Sequence, residues 1–154
     1  METLYTEIIE QFLYKIEKDR KFFSYYNNSN SESMQLVERR AMNYLNEAIV
    51  LFSTKTFTNV LEKNDSGTGF KNTLTSEEVY ILTNLMYEIH LKRDLAVLKA
   101  MSDKYAPTDL NTFSPANERK SFLLLVEKIE NENTALIDTY CVRDRQTGNT
   151  KVVV

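Results

Sequence analysis

His90 is the only histidine and Cys141 the only cysteine of the 154 residues. A Ser–His or Cys–His nucleophile must therefore be assembled around His90, and no spacing in the chain favours a particular serine or Cys141 as its partner. His90 stands between Ile89 and Leu91 on an amphipathic stretch, which reads as a structural flank residue. Glutamates are more plentiful, at Glu77, Glu78, Glu127, Glu130 and Glu132. Carboxylate metal bundles pair such residues with a Glu-x-x-His element repeated on two helices. One histidine cannot supply the repeat, and Tyr87-Glu88-Ile89-His90 holds only Glu-x-His. The acids read as a charged, solvated face, and no catalytic residue, metal or cofactor is assigned.

Asp65-Ser66-Gly67-Thr68 spells the short signature of an aspartic protease of the retroviral type, in which two carboxylates share a proton. Its flanks, Leu61-Glu62-Lys63-Asn64 and Gly69-Phe70-Lys71, are polar, and no strand-rich half-domain surrounds it. A solvated turn is the expectation, with a hydrolase using Asp65 as the contrary reading. Gly67-Thr68-Gly69-Phe70-Lys71 lacks both the Gly-x-x-x-x-Gly-Lys-Ser/Thr spacing and the preceding apolar strand of a phosphate loop. Arg39-Arg40, Lys92-Arg93 and Arg119-Lys120 are basic pairs on three expected helices. Converging on one face they would touch DNA phosphates; separately they are solvated or salt-bridged helix faces.

The composition bounds what can hold these groups. A chain of 154 residues suits one domain, and 42% hydrophobic with 27% charged residues is ordinary for a globular protein. Three glycines and two prolines are too few for a sandwich or barrel. Nine tyrosines and eight phenylalanines supply bulky core and interface material. A net charge of −3 gives no support to nucleic-acid binding. A lone cysteine excludes an internal disulfide framework and a thiolate zinc cluster. Met1-Glu2-Thr3-Leu4 does not open a signal peptide, and no apolar run is long enough to cross a membrane, so cytosol-like conditions are expected.

Periodicity places four helices. Leu4, Tyr5, Ile8, Ile9, Phe12, Leu13 and Ile16 form one apolar stripe of a helix from about Glu2 to Tyr26, followed by the polar loop Asn27-Asn28-Ser29-Asn30-Ser31. A second helix from about Glu32 to Phe52 would bury Met34, Val37, Ala41, Tyr44, Leu45, Ala48, Ile49 and Phe52, the alanines permitting close helix approach. Ser53 to Thr73 reads as a long loop with a short helical or extended piece. Thr75 and Glu78 spell a capping box, with Leu74 stapling onto Val79, and open a third helix ending at Ala106-Pro107. Ser114 caps a fourth helix with Pro115 at its first position, its inner face formed by Phe122, Leu125, Val126, Ile129, Leu136 and Tyr140.

The last segment breaks the helical pattern. Ile137-Asp138-Thr139-Tyr140-Cys141-Val142-Arg143-Asp144-Arg145 leads to the turn Gln146-Thr147-Gly148-Asn149, then Thr150-Lys151-Val152-Val153-Val154. β-Branched and aromatic residues around a Gly/Asn turn predict a hairpin, and its valine edge would seek a partner strand. The expected architecture is mainly α: an antiparallel bundle of about four helices over residues 1–136 and a C-terminal hairpin or extended docking tail over 137–154.

Leu74-Thr75-Ser76-Glu77-Glu78-Val79-Tyr80-Ile81-Leu82 runs into Glu88-Ile89-His90-Leu91-Lys92, then Leu95 to Met101, then Asp109-Leu110-Asn111-Thr112-Phe113-Ser114-Pro115-Ala116-Asn117 and a final long helix. This succession resembles the small helical proteins encoded beside the capsid gene in tailed bacteriophages and prophages, the head–tail connector or neck proteins. The resemblance covers roughly the middle third of the chain and rests on capping and turn residues. It implies a non-catalytic virion protein, made in the host cytoplasm, that forms a ring of identical subunits. The ring would dock beneath a portal protein, meet tail or neck proteins and touch packaged DNA, without membrane contact. On that reading Tyr140, Val142, Arg143, Arg145, Lys151, Val152, Val153 and Val154 grip the partner. The alternative is a small cytosolic interaction or regulatory module acting as a monomer or dimer.

Overall fold

A computed structural model describes residues 2–17, 30–104 and 115–151. Along the chain these form β1 (Thr3–Leu4), α1 (Tyr5–Lys15), α2 (Asn30–Thr56), β2 (Gly69–Phe70), α3 (Ser76–Lys104) and α4 (Pro115–Val142). The protein is thus mainly helical, with a two-stranded antiparallel sheet. The α3 helix is the hub, packing against α1, α2 and α4. Its pairings with α4 run in opposite directions: Lys92 meets Glu130, Glu88 meets Asn133 and Glu78 meets Tyr140. At one end Tyr44 of α2 lies beside His90, and at the other Phe52 packs on Tyr140, so α2 is antiparallel to α3 as well.

The α1 stripe does bury Tyr5, Ile8, Ile9, Phe12 and Ile16, but the segment before it is extended rather than helical. Thr3 and Leu4 pair with Phe70 and Gly69, leaving Leu4 exposed and outside the stripe. Thr3 is buried and its hydroxyl oxygen accepts from the Leu74 amide at 2.9 Å, which ties the N-terminus to the segment leading into α3. A side chain at position 69 would not fit here: its Cβ would lie 2.4 Å from the Thr3 carbonyl oxygen. The end expected for the first helix at Tyr26, the residues 27–29, Ala106-Pro107 and the Ser114 cap lie outside the described residues.

The segment expected to be a long loop is shorter than its composition suggests and is tied by side-chain hydrogen bonds. Helix α2 continues to Thr56, whose hydroxyl donates back to the Phe52 carbonyl at 2.7 Å. Beyond it, buried Asn64 acts as the organiser. Its Oδ1 accepts from the amides of Thr68 and Gly69, while its Nδ2 donates to Glu2 at 2.8 Å. Such local side-chain bonds substitute for ladder hydrogen bonds in a turn. Ala41 and Ala48 are fully buried in α2, whereas Met34 is exposed, contrary to expectation; Leu125 of α4 is likewise exposed.

The C-terminal hairpin from Ile137 does not form. Residues 137–142 continue α4, and a single antiparallel bridge, Arg143 to Thr150, closes the turn that follows. Ile137, Tyr140 and Cys141 are spaced to stay on the inner face of α4 and pack on the core. Thr139 is accommodated by donating to the Ala135 carbonyl at 2.8 Å. Burial on an existing helix outweighs the strand preference of these side chains.

Candidate functional site

The surface turn after α4 is held by a carboxylate at the start of α3. Glu78 is fully buried, and its side chain accepts four hydrogen bonds. One is the expected capping box: the Thr75 amide donates to Oε2 at 2.7 Å, and Thr75 Oγ1 accepts from the Glu78 amide at 3.2 Å. The others come from the far end of the chain. Tyr140 Oη donates to Oε1 at 2.7 Å, Arg145 Nε to Oε1 at 2.5 Å and Arg145 Nη2 to Oε2 at 3.0 Å. The guanidinium also donates to the Thr73 carbonyl at 2.6 Å. This bidentate, charge-assisted geometry is the strong form of an ion pair.

The electrostatics follow from burial and pairing. Burial pushes the Glu78 carboxyl upward, but hydrogen bonds from Arg145, Tyr140 and Thr75 outweigh it and hold it below the usual range. The Tyr140 hydroxyl moves up, first through burial and then through its bond to ionised Glu78. The bond to Glu78 likewise raises the Arg145 guanidinium. At neutral pH the cluster is a fixed carboxylate–guanidinium pair with a neutral phenol.

Beyond Arg145 the chain turns on Asp144. Its Oδ1 accepts from the Gln146 amide at 3.0 Å and from the Thr147 amide at 2.8 Å and hydroxyl at 3.0 Å. These bonds to Thr147 hold the Asp144 carboxyl below its ordinary range. Gly148 adopts φ +70°, a left-handed conformation suited to glycine. The Lys151 amide donates to the Val142 carbonyl at 2.8 Å, and Lys151 Nζ caps the Cys141 carbonyl at 3.1 Å. Of the expected partner-binding residues, Tyr140 and Arg145 are thus engaged inside the protein. Val142, Arg143 and Lys151 are on the surface, with Arg143 3.9 Å from Glu77. Val152, Val153 and Val154 lie outside the described residues.

The other chemical candidates separate. His90 is buried among aromatic rings, 6.2 Å from Phe12 and 6.0 Å from Tyr44 between centroids, with Nε2 3.7 Å from Asp94. It is more deeply embedded than a flank residue. Asp65, Ser66, Gly67 and Thr68 form an exposed turn, as expected. Cys141 is half-buried on the inner side of α4, far along the chain from His90 and packed on the core. Among the described residues no three His, Cys, Asp or Glu side chains converge as a metal site would require, and no helix is long and apolar enough to cross a membrane. Lys92 of the basic pairs is paired with Glu88 at 2.8 Å and Glu130 at 3.0 Å. Burial raises the Tyr44 hydroxyl while Arg93 and Arg40 partly offset it, so these two cations share one neighbourhood.

Two features went unread in the sequence. Asn84 and Asn133 occupy core positions on α3 and α4, with Asn133 Nδ2 donating to the Asn84 carbonyl at 3.2 Å and to Glu88 at 2.8 Å. A polar residue inside the apolar stripe from Val126 to Tyr140 was the available signal. The second feature is exposed apolar surface at both ends of the bundle. Val50, Leu51 and Phe57 stand out near the end of α2, and Val97, Leu123, Leu124 and Leu125 at the far ends of α3 and α4. Phe57 is 92% exposed at φ +53°, a conformation unfavourable for a bulky side chain. Comparison of the chain with protein-family models, with curated proteins and with solved structures gave no match.

Proposed function

We propose that the chain is a non-enzymatic virion assembly protein, a head–tail connector that forms a ring, docks on a portal protein and links capsid to tail. The observation that carries this reading is the pair of apolar patches at opposite ends of the bundle. A head-to-tail ring needs two different, complementary surfaces on each subunit, whereas a two-fold dimer needs one that matches itself. Val50, Leu51 and Phe57 supply the first surface, and Val97 with Leu123, Leu124 and Leu125 the second. At a rise of about 1.5 Å per residue, the Glu78 and Val97 ends of α3 are roughly 28 Å apart, so the patches are distinct.

The turn carrying Val142, Arg143 and Lys151 is the proposed grip on the portal or the neighbouring ring, with Val152, Val153 and Val154 continuing it. The Glu78–Arg145 pair supports that role, because a turn already fixed loses less conformational freedom on docking. Arg40 and Arg93 are the proposed contacts to packaged DNA. The protein acts in the virion at the head–tail junction and in the host cytoplasm during assembly. A second reading, a small interaction module, is favoured by one observation: Phe57 presents a single, almost fully exposed ring on a strained backbone.

Subunit mixing separates the two. Val50→Asp and Leu124→Asp each block one of the two ring surfaces and stop growth of the oligomer. Mixed in equal amounts, the two variants join through the surfaces they retain and stop at a pair. An interaction module gives one and the same small species, monomer or dimer, with wild-type protein, with each variant and with the mixture alike.

A further inference from the structure

We infer that the hollow between α1 and α3 seats the basic start of α4 from a second copy of the chain. The inference rests on the ring proposed above and supplies the charged part of its head-to-tail contact. The hollow has a volume of about 640 Å³ and is walled by Glu7, Glu10, Gln11 and Tyr14 of α1 and by Tyr80 and Thr83 of α3. Helical spacing puts the four α1 residues on one face. That face is open: Tyr14 is 76% and Tyr80 55% exposed, and among the described residues neither Glu7 nor Glu10 forms an ion pair.

Lys15, at the edge of the hollow, is committed elsewhere. Its Nζ donates to Asn84 Oδ1 and lies 5.8 Å from the Tyr80 ring centre and 5.1 Å from that of Tyr87. Two unanswered carboxylates beside two exposed phenol rings fit cationic side chains, which gain an ion pair and a contact with a ring face together.

The complement stands at the other end of the same chain. Arg119 and Lys120 are exposed near the start of α4, and Lys120 shares a face with the exposed Leu123 and Leu124. Among the described residues no acid pairs with Lys120. Helix α1 runs alongside α3, Thr3 meeting Leu74 and Lys15 meeting Asn84, so the hollow lies toward the Glu78 end of the bundle. Helix α4 runs the other way, Glu130 meeting Lys92, so Lys120 lies beyond the Lys92 end. Within one copy the acidic hollow and the basic tip cannot meet; between copies they can, in one direction only. A contact of two unlike surfaces repeats head to tail and closes into a ring where the rotation allows. Charge pairs placed beside apolar surface select the partner and fix the register of the contact.

The test is sedimentation velocity of the whole chain over a concentration series, with circular dichroism to follow folding. Glu7→Lys with Glu10→Lys reverses the hollow, and Arg119→Glu with Lys120→Glu reverses the tip. Each double reversal weakens self-association about tenfold or more, equal to 1.4 kcal/mol, because like charges then face each other. All four changes in one chain restore it, since every contact again joins opposite charges. Tyr14→Ala leaves every charge in place and removes an exposed ring, and it weakens association even where a reversal disturbs folding. A ring indifferent to both reversals, or a fourfold variant no better than either pair, overturns this contact and leaves the ring standing. Reversals that spare the ring but abolish binding to the portal protein overturn it too and make the portal the occupant. A wild-type chain that stays monomeric at every concentration overturns the ring and this contact together.

Discussion

Arg145→Ala removes the guanidinium from a fully buried carboxylate. Two hydrogen bonds to Glu78 are lost, at 2.5 and 3.0 Å, and one to the Thr73 carbonyl at 2.6 Å. Removing one partner of a buried ion pair typically costs about 3–5 kcal/mol. Because Arg145 is 32% exposed and its charge is partly screened, the lower end applies, about 3 kcal/mol. For a domain of this size that lowers Tm by roughly 6–12 °C. The loss is pH-dependent, and its sign is fixed by Glu78. In the wild type the folded carboxyl is held below its unfolded value, so its stabilisation is full above the ordinary carboxylate range and is lost as pH falls through the folded pKa. Without Arg145, burial dominates and the carboxyl shifts up, so the variant takes up its proton at higher pH. The stability gap between the two proteins therefore narrows as pH falls between the two folded pKa values. Urea unfolding across a pH series measures it, with Tyr140→Phe as the second arm of a double-mutant cycle, since both donors share Oε1. A loss below about 1 kcal/mol, the scale of an exposed ion pair, or a gap that does not change with pH, would show that the cluster does not hold the turn.

Gly69→Ala drives a Cβ into the Thr3 carbonyl and forces β1 off β2; the expected loss is about 1–3 kcal/mol, with faster amide exchange at Tyr5, whose N–H bonds to the Thr68 carbonyl. Phe57→Gly removes a left-handed aromatic residue that buries nothing, and chemical denaturation should show a gain of about 0.5–1 kcal/mol, while a partner that grips the Phe57 ring is bound more weakly. Deleting residues 146–154 leaves Arg145 and its pairing with Glu78 in place, so circular dichroism should report an intact helical domain while docking on the portal or the neighbouring ring is lost.

The helices were legible because each buries a stripe at helical spacing, and the start of α3 because Thr75 and Glu78 satisfy each other within one turn. The second role of Glu78 was not legible. Its partners Tyr140 and Arg145 lie 62 and 67 residues away, and no local pattern links them. The β1–β2 pair escaped notice because two residues a strand are too few to show alternation, and its requirement for Gly69 is a contact made by folding. The tail misled for the opposite reason. Ile137, Tyr140 and Val142 are good strand formers, but Ile137 and Tyr140 fall on the inner face of α4, and tertiary burial decided the matter. Tyr140 and Arg145 belonged to a real cluster, but one that faces inward.

The proposed ring is tested most directly by light scattering of the purified protein over a concentration series, alone and with a portal protein. A large discrete oligomer, or a stable complex with the portal, is the expected result. A strict monomer at every concentration that ignores the portal would contradict it and leave the bundle as an interaction module.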